Sequence, residues 1–197
     1  MTELWLVRHG ETEWSLSGRH TGRTDIPLTE HGRERAVELG KFLAGTKFAA
    51  VRCSPMRRAR ETCAIAGYGD VAVVDPELME WDYGVYEGRT SQEIQAEIPG
   101  WSVWKDSIVG GETVEQVGAR ADGAIARALE AAGPETDDMA RVALFAHAHI
   151  LRILAARWIG LEAREGCRFV LGTGSVSVLG WEKETRVIQR WNRGFEE

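Results

Sequence analysis

Two short apolar runs, residues 3–7 and 141–146, each stop at a histidine, and this pattern restricts what the chain can fold into more than any other. The first leads into Arg8-His9-Gly10 and the second into His147-Ala148-His149. Apolar runs this short, bounded by glycine or polar residues, read as buried strands. Parallel neighbours in one sheet would place both histidines on the same rim. That rim, at the carboxyl ends of the strands, is where open α/β sheets bind ligands. A lone histidine at a strand end ordinarily satisfies a structural hydrogen bond; two on one rim point to a site.

The rest of the pattern supplies the helices such a sheet needs. Thr29 can cap a helix on which Ala36, Leu39, Gly40 and Leu43 follow helical spacing. Residues 11–28, rich in Gly, Ser and Thr, read as a loop. Residues 48–53 read as a strand, and Ser54-Pro55 starts a second helix, with serine as cap and proline in the first turn. Residues 71–74 form a short strand. Residues 80–111 are irregular and rich in Trp, Tyr and Gly, with a short helix near 91–97. Residues 113–132 form an amphipathic helix with Val114, Val117, Ala121 and Ile125 on one face. A helix over 150–159 follows the second histidine strand. Residues 175–181 and 186–191 pair as a hairpin through Lys183-Glu184-Thr185. This alternation predicts a single α/β domain over residues 1–197: three layers, α/β/α, with a mainly parallel central sheet and residues 80–111 as a small irregular cap.

Charge and composition narrow the function. With 24 Lys+Arg against 30 Asp+Glu the formal net charge is −6, which argues against a nucleic-acid partner. A small anionic substrate stays compatible, because local arginines override the global sign. No apolar stretch approaches the ~20 residues that cross a bilayer. The run at 4–7 is interrupted at Arg8, so it makes no signal peptide. A cytoplasmic protein without a membrane partner is expected. Cys53, Cys63 and Cys167 are odd in number and form no CxxC pair, so they read as free thiols. Apolar strand edges are compatible with a homodimer.

Four clusters carry chemistry. Neutral His9 is a good nucleophile toward phosphorus, and Arg8 beside it offers fixed charge and paired donors for phosphoryl oxygens. Gly10 lets the backbone approach closely. His147 stands on the same rim. Arg57-Arg58-Ala59-Arg60 at a helix start suits an anion, helped by the helix dipole, although three arginines in four positions cannot all face inward. Glu80, beside Trp81 and Tyr83, is a candidate proton donor, since apolar surroundings favour a neutral carboxyl.

The blocks Arg8-His9-Gly10-Glu11-Thr12, Ser54-Pro55-x-x-Arg58-Ala59-x-x-Thr62, Glu80-x-x-Tyr83-Gly84-x-x-Glu87-Gly88, Gly110-Gly111-Glu112-Thr113 and His147-x-x-x-x-Arg152 follow one another along the chain. In that order they resemble the histidine phosphatase superfamily, the phosphoglycerate-mutase-like proteins. The runs 11–15, 80–84 and 145–149, with Trp101 and Trp104, resemble its acid phosphatase and sedoheptulose-1,7-bisphosphatase-like branch. The resemblance implies His9 as phosphorylated nucleophile, Arg8, Arg58 and His147 as phosphate ligands, and Glu80 as the group that protonates the leaving oxygen and then activates water. It places Ser15, Thr21, Gly22, Ala148 and His149 on the substrate side, and leaves Arg57 and Arg60 at the surface. Two arginines and a cationic His147 would then stabilise charge on the transferring phosphoryl group. Many relatives have Asn at Ser15 and Gly at Ala148.

The expected activity is hydrolysis of small phosphorylated metabolites, sugar phosphates or bisphosphates, with no metal and no cofactor. Phosphoglycerate mutase is the alternative, but residues 194–197 are too short to form the closing tail that mutases carry. A non-catalytic phosphate-binding module is a further alternative, against which the complete residue set argues. Zinc on His147-x-His149 lacks an acidic or cysteine partner nearby. Trp101 and Trp104, three apart, pack in the core or wall the substrate pocket.

Overall fold

The computed structural model describes residues 1–134 and 139–195. Its sheet has six strands in the order β3-β2-β4-β1-β5-β6. These are β1 (Thr2–Arg8), β2 (Ala50–Cys53), β3 (Ala72–Val74), β4 (Ala140–Ala146), β5 (Val176–Glu182) and β6 (Thr185–Arg193). Strands β1 to β4 pair in parallel, β5 runs antiparallel to β1, and β5 and β6 form the expected hairpin. Lys183 takes φ 54° in its turn.

Strands β1 and β4 are central and covered on both sides, so they read as unbroken apolar runs. Successive side chains point to opposite faces. Leu4, Leu6, Val142, Leu144 and Leu179 pack with α5 (Val114–Ala131) and α6 (Ala148–Trp158). Trp5, Val7, Ala143, Phe145 and Val178 pack with α2 (Glu30–Leu43) and α3 (Arg57–Ile65). The three layers follow from that alternation. Register sets the site: Val7 lies opposite Phe145 and Arg8 opposite Ala146. His9 and His147 therefore leave the sheet side by side, and the His9 amide donates to the Ala146 carbonyl at 3.0 Å.

Thr29 caps α2 with its hydroxyl as expected, and Thr113 caps α5 in the same way. Two local expectations change. Residues 11–28 contain a short helix, α1 (Glu13–Leu16), because Thr12 and Ser15 form a reciprocal capping box. Helix α3 starts at Arg57 rather than at Ser54-Pro55, behind Met56 with no side-chain cap; the Ser54 hydroxyl accepts the Met56 amide at 3.3 Å and meets His147 at 2.7 Å. Within residues 80–111, α4 (Ser91–Glu97) lies where its pattern predicts. Trp81, Tyr83, Tyr86 and Trp101 of that segment share one core with α5 and α6. Among the described residues no helix is long and apolar enough to cross a membrane. Residues 196–197 of the short tail lie outside the described residues.

Candidate active site

His9 is buried at the end of β1, with Nδ1 2.7 Å from the Gly10 carbonyl oxygen. A carbonyl only accepts, so Nδ1 carries the hydrogen. Burial, then Arg58 and Arg8, hold the ring well below the ordinary histidine value of 6.5. The imidazole is neutral, and its lone pair sits on Nε2. The loop that fixes this tautomer is pinned twice. The Gly10 amide donates to Thr62 Oγ1 at 3.0 Å, and a Cβ at position 10 would come within 2.6 Å of the Gly32 carbonyl oxygen. Only glycine lets β1 and α2 approach this closely.

Behind His9 lies Arg58, fully buried. It donates from Nε to His147 Nδ1 at 3.0 Å, and from its terminal nitrogens to the carbonyls of Thr24, Thr21 and Gly22 at 3.0, 2.9 and 3.0 Å. Arg8 donates to the Leu171 carbonyl, and among the described residues its buried Nε has no partner. Burial lowers Arg8 to about 10, so it stays charged near neutrality. Among the described residues neither guanidinium has a carboxylate within ion-pair distance. The half-buried Arg8, which lines the cavity, and the buried Arg58, with no carboxylate paired to either among the described residues, make a positive site that an anion would neutralise.

His147 is also fully buried, its ring centroid 5.1 Å from that of His9. Arginine only donates, so the Nδ1 facing Arg58 is unprotonated, and Nε2 donates to Ser54 Oγ at 2.7 Å. Burial, Arg58 and His9 hold this ring well below 6.5. From the sequence, His147 gains its charge when an anionic substrate fills the pocket; in the structure burial, then Arg58 and His9, keep the ring neutral.

Glu80 is buried, but its carboxylate sits in a polar cradle rather than an aromatic cage. Oε1 accepts from the amides of Trp81 and Ile150 at 3.0 Å each, and Oε2 from His149 at 2.9 Å. Two of those donors belong to the first turn of α6, where amides have no helical partners. The β4–α6 junction thus places His147 and orients Glu80 together.

Arg8, His9 and Glu80 line one cavity of about 480 Å³. Ser15, Thr21, Ala148, His149, Trp101 and Trp104 share its wall, while Trp101 is almost wholly buried. Gly22 sits beneath the wall, contributing its carbonyl to Arg58. The Ser15 hydroxyl is committed to Thr12, donating to its carbonyl at 2.8 Å and accepting its amide at 2.9 Å. Arg57 and Arg60 are exposed, as expected. His149 Nδ1 faces Tyr83 while His147 faces Arg58 and Ser54, so the two histidines do not converge. Among the described residues no group of three or more His, Cys, Asp or Glu could hold a metal.

Three supporting residues escaped the sequence reading as contributors. Glu87 accepts the Gly22 amide at 2.9 and 3.1 Å and the Thr24 amide at 3.0 Å, fixing the carbonyls that hold Arg58. Ser54 orients His147, and Thr62 anchors Gly10. All three stand inside the recurring blocks, but nothing in their spacing reveals these partners.

The chain matches the family model of the histidine phosphatase superfamily (branch 1) over residues 4–194. An acid phosphatase of Mycobacterium tuberculosis is 42% identical over 187 residues, spanning 94% of this chain and 89% of the relative. A sedoheptulose 1,7-bisphosphatase of Saccharomyces cerevisiae is 36% identical over 195 residues, spanning 84% and 70%. Among solved structures, an open reading frame product of Mycobacterium tuberculosis aligns with a TM-score of 0.90 at 38% identity over 99% of each chain.

Proposed function

The chain belongs to branch 1 of the histidine phosphatase superfamily and is a phosphoric monoester hydrolase, and from that premise we propose that it hydrolyses small phosphorylated metabolites, sugar phosphates among them, through a phosphoryl group carried on His9. Arg8 and Arg58 draw the phosphate of the substrate into the cavity. His9 Nε2 attacks phosphorus as the bond to the leaving oxygen breaks, and Glu80 supplies the proton that the leaving oxygen takes up. Water then attacks the phosphohistidine, Glu80 accepts its proton, and inorganic phosphate departs with His9 Nε2 free again. Two displacements replace one direct attack by water. The fixed guanidinium charges lower the barrier to both by stabilising charge on the oxygens of the transferring phosphoryl group.

The observation that carries this reading is the hydrogen bond from His9 Nδ1 to the Gly10 carbonyl, which leaves the lone pair on Nε2 of a neutral ring. A mobile imidazole would spend part of its time as the wrong tautomer. The test is phosphate release across sugar monophosphates, sugar bisphosphates, phosphoglycerates and nucleotides, with a mutase assay beside it. His9→Ala should abolish release from every substrate the wild type hydrolyses. Glu80→Gln should slow poor leaving groups most. Equal activity of His9→Ala and wild type would remove the proposal.

A further inference from the structure

Two buried thiols stand outside these catalytic steps. Cys53 ends β2 and Cys63 lies on α3, both free and both in the core between the sheet and helices α2 and α3. The Cys63 thiol is a hydrogen-bonding neighbour of the Cys53 thiol, and together with burial it holds Cys53 above the usual thiol range, while Arg60 acts the other way. Both thiols line a second cavity, of about 550 Å³, which shares no lining residue with the one that holds His9. The carboxylates of this second wall are engaged. Asp25 accepts the Arg57 amide at 2.7 Å, and Glu61 pairs with Arg33 at 2.7 Å. Arg60 is exposed and lines the cavity, and among the described residues its guanidinium has no partner. One wall thus presents an unpaired cation and two neighbouring thiols.

The chain neighbours of both thiols serve the active site. Ser54 follows Cys53, and its Oγ meets His147 Nε2 at 2.7 Å. Thr62 precedes Cys63; its Oγ1 accepts the Gly10 amide at 3.0 Å and donates to the Arg58 carbonyl at 2.8 Å. A disulfide brings its sulfurs to about 2.05 Å, closer than thiols that share a hydrogen bond. Bridging would draw the end of β2 and α3 together and pull Ser54 and Thr62 away from their partners. His147 and the loop that fixes His9 would move in turn, because a close-packed interior transmits such a shift.

We propose that Cys53 and Cys63 form a reversible dithiol–disulfide site, oxidised by anionic low-molecular-weight disulfides that enter beside Arg60, and that the bridge lowers phosphatase turnover. The effect on turnover rests on the phosphohydrolase reading above; the bridge itself does not. One protein thiol loses its proton, and its sulfur attacks a sulfur of the small disulfide and expels one thiolate. The second protein thiol, deprotonated in turn, attacks the protein sulfur of this mixed disulfide and expels the other thiolate. The two expelled thiolates take up the two protons. The protein dithiol is oxidised by two electrons and the small disulfide is reduced by two. A small dithiol reverses both steps.

The test exposes the full chain to glutathione disulfide, quenches in acid, alkylates the remaining thiols and digests with trypsin without reduction. The expected product joins the peptide of residues 53–57 to that of residues 61–89. Phenyl phosphate turnover should fall by about 100-fold, the cost of misplacing catalytic groups by about 1 Å, and dithiothreitol should restore it. Cys53→Ala and Cys63→Ala should each keep the turnover of the reduced protein and lose the sensitivity, so a failure of one to fold leaves the other. Cys167→Ser, which removes the exposed thiol, should stay sensitive. Arg60→Gln should slow bridging by glutathione disulfide and leave bridging by neutral 2-hydroxyethyl disulfide unchanged. Absence of the joined peptide overturns the site, and a bridge that leaves turnover unchanged overturns its control of activity. Sensitivity lost in Cys167→Ser assigns the effect to that thiol and overturns the proposal, and equal slowing with both reagents in Arg60→Gln overturns the entry route. Failure of the phosphohistidine reading shows elsewhere, as phenyl phosphate turnover that survives His9→Ala.

Discussion

Replacing Glu87 with alanine tests how the phosphate pocket is held together. Its carboxylate accepts the amides of Gly22 and Thr24 at 2.9 to 3.1 Å, and the carbonyls of Thr21, Gly22 and Thr24 accept three N–H groups of Arg58. The carboxylate fixes the loop, and the loop fixes the guanidinium. Hydrogen bonds to a charged acceptor contribute about 1.5–3 kcal/mol each. Glu87 is half-buried and water can replace it in part, so the lower bound applies and the two amides together lose about 3 kcal/mol. At about 2–4 °C per kcal/mol for a chain of this size, the melting temperature should fall by roughly 6–12 °C. A misplaced Arg58 costs about tenfold in rate for every 1.4 kcal/mol of transition-state stabilisation lost, so kcat/KM should drop by about 10- to 100-fold. Differential scanning fluorimetry and steady-state phosphate release on the same preparations measure both. Glu87→Gln, which keeps an acceptor without the charge, should fall between. A protein with a lowered melting temperature but unchanged kcat and KM would refute the idea that the loop positions Arg58.

The buried histidines predict a pH dependence of stability. His9, His147 and His149 are all held well below 6.5, first by burial, so between the folded and unfolded values the unfolded chain binds more protons. Stability is full above 6.5 and falls as pH drops below it; melting at about pH 5 should lie below melting at about pH 7.5, and identical values would contradict neutral rings. For the same reason the pH profile of kcat/KM should show no loss of His9 nucleophilicity at 6.5, only at distinctly lower pH. Gly10→Ala would bring a Cβ within 2.6 Å of the Gly32 carbonyl, an overpacking worth about 1–3 kcal/mol, and would shift the carbonyl that holds His9. Its turnover should fall more than its stability; full turnover would show that the tautomer lock is dispensable.

The central strands were legible because β1 and β4 are buried on both faces, which leaves no polar alternation to misread. Their endings were legible because Arg8, His9 and His147 interrupt apolar runs abruptly. Helix α3 was misplaced by two or three residues because a serine before a proline looks like a cap, whereas the Ser54 hydroxyl answers a histidine 93 residues away. The same limit hid Glu87 and the arginine partner of His147. Each depends on a partner brought near by the fold: an amide 65 residues distant for Glu87, an arginine 89 residues distant for His147. Glu80 was legible as a carboxyl in the right block but not in its surroundings, since its donors are backbone amides, two of them from α6, which any sequence there would supply. Local spacing reports which residue types face the sheet; it does not report which polar atoms meet.

The most direct measurement of the central claim is the site of phosphorylation during turnover. Wild type mixed with excess phenyl phosphate or ribose 5-phosphate, quenched within milliseconds in alkali and digested, should yield one peptide carrying a phosphoryl group on His9. The label should be absent from His9→Ala and should accumulate when Glu80→Gln slows the attack of water. A phosphoryl group on His147, His149 or another residue, or turnover with isotope from labelled water entering phosphate while no phosphohistidine forms under any quench, would contradict the account.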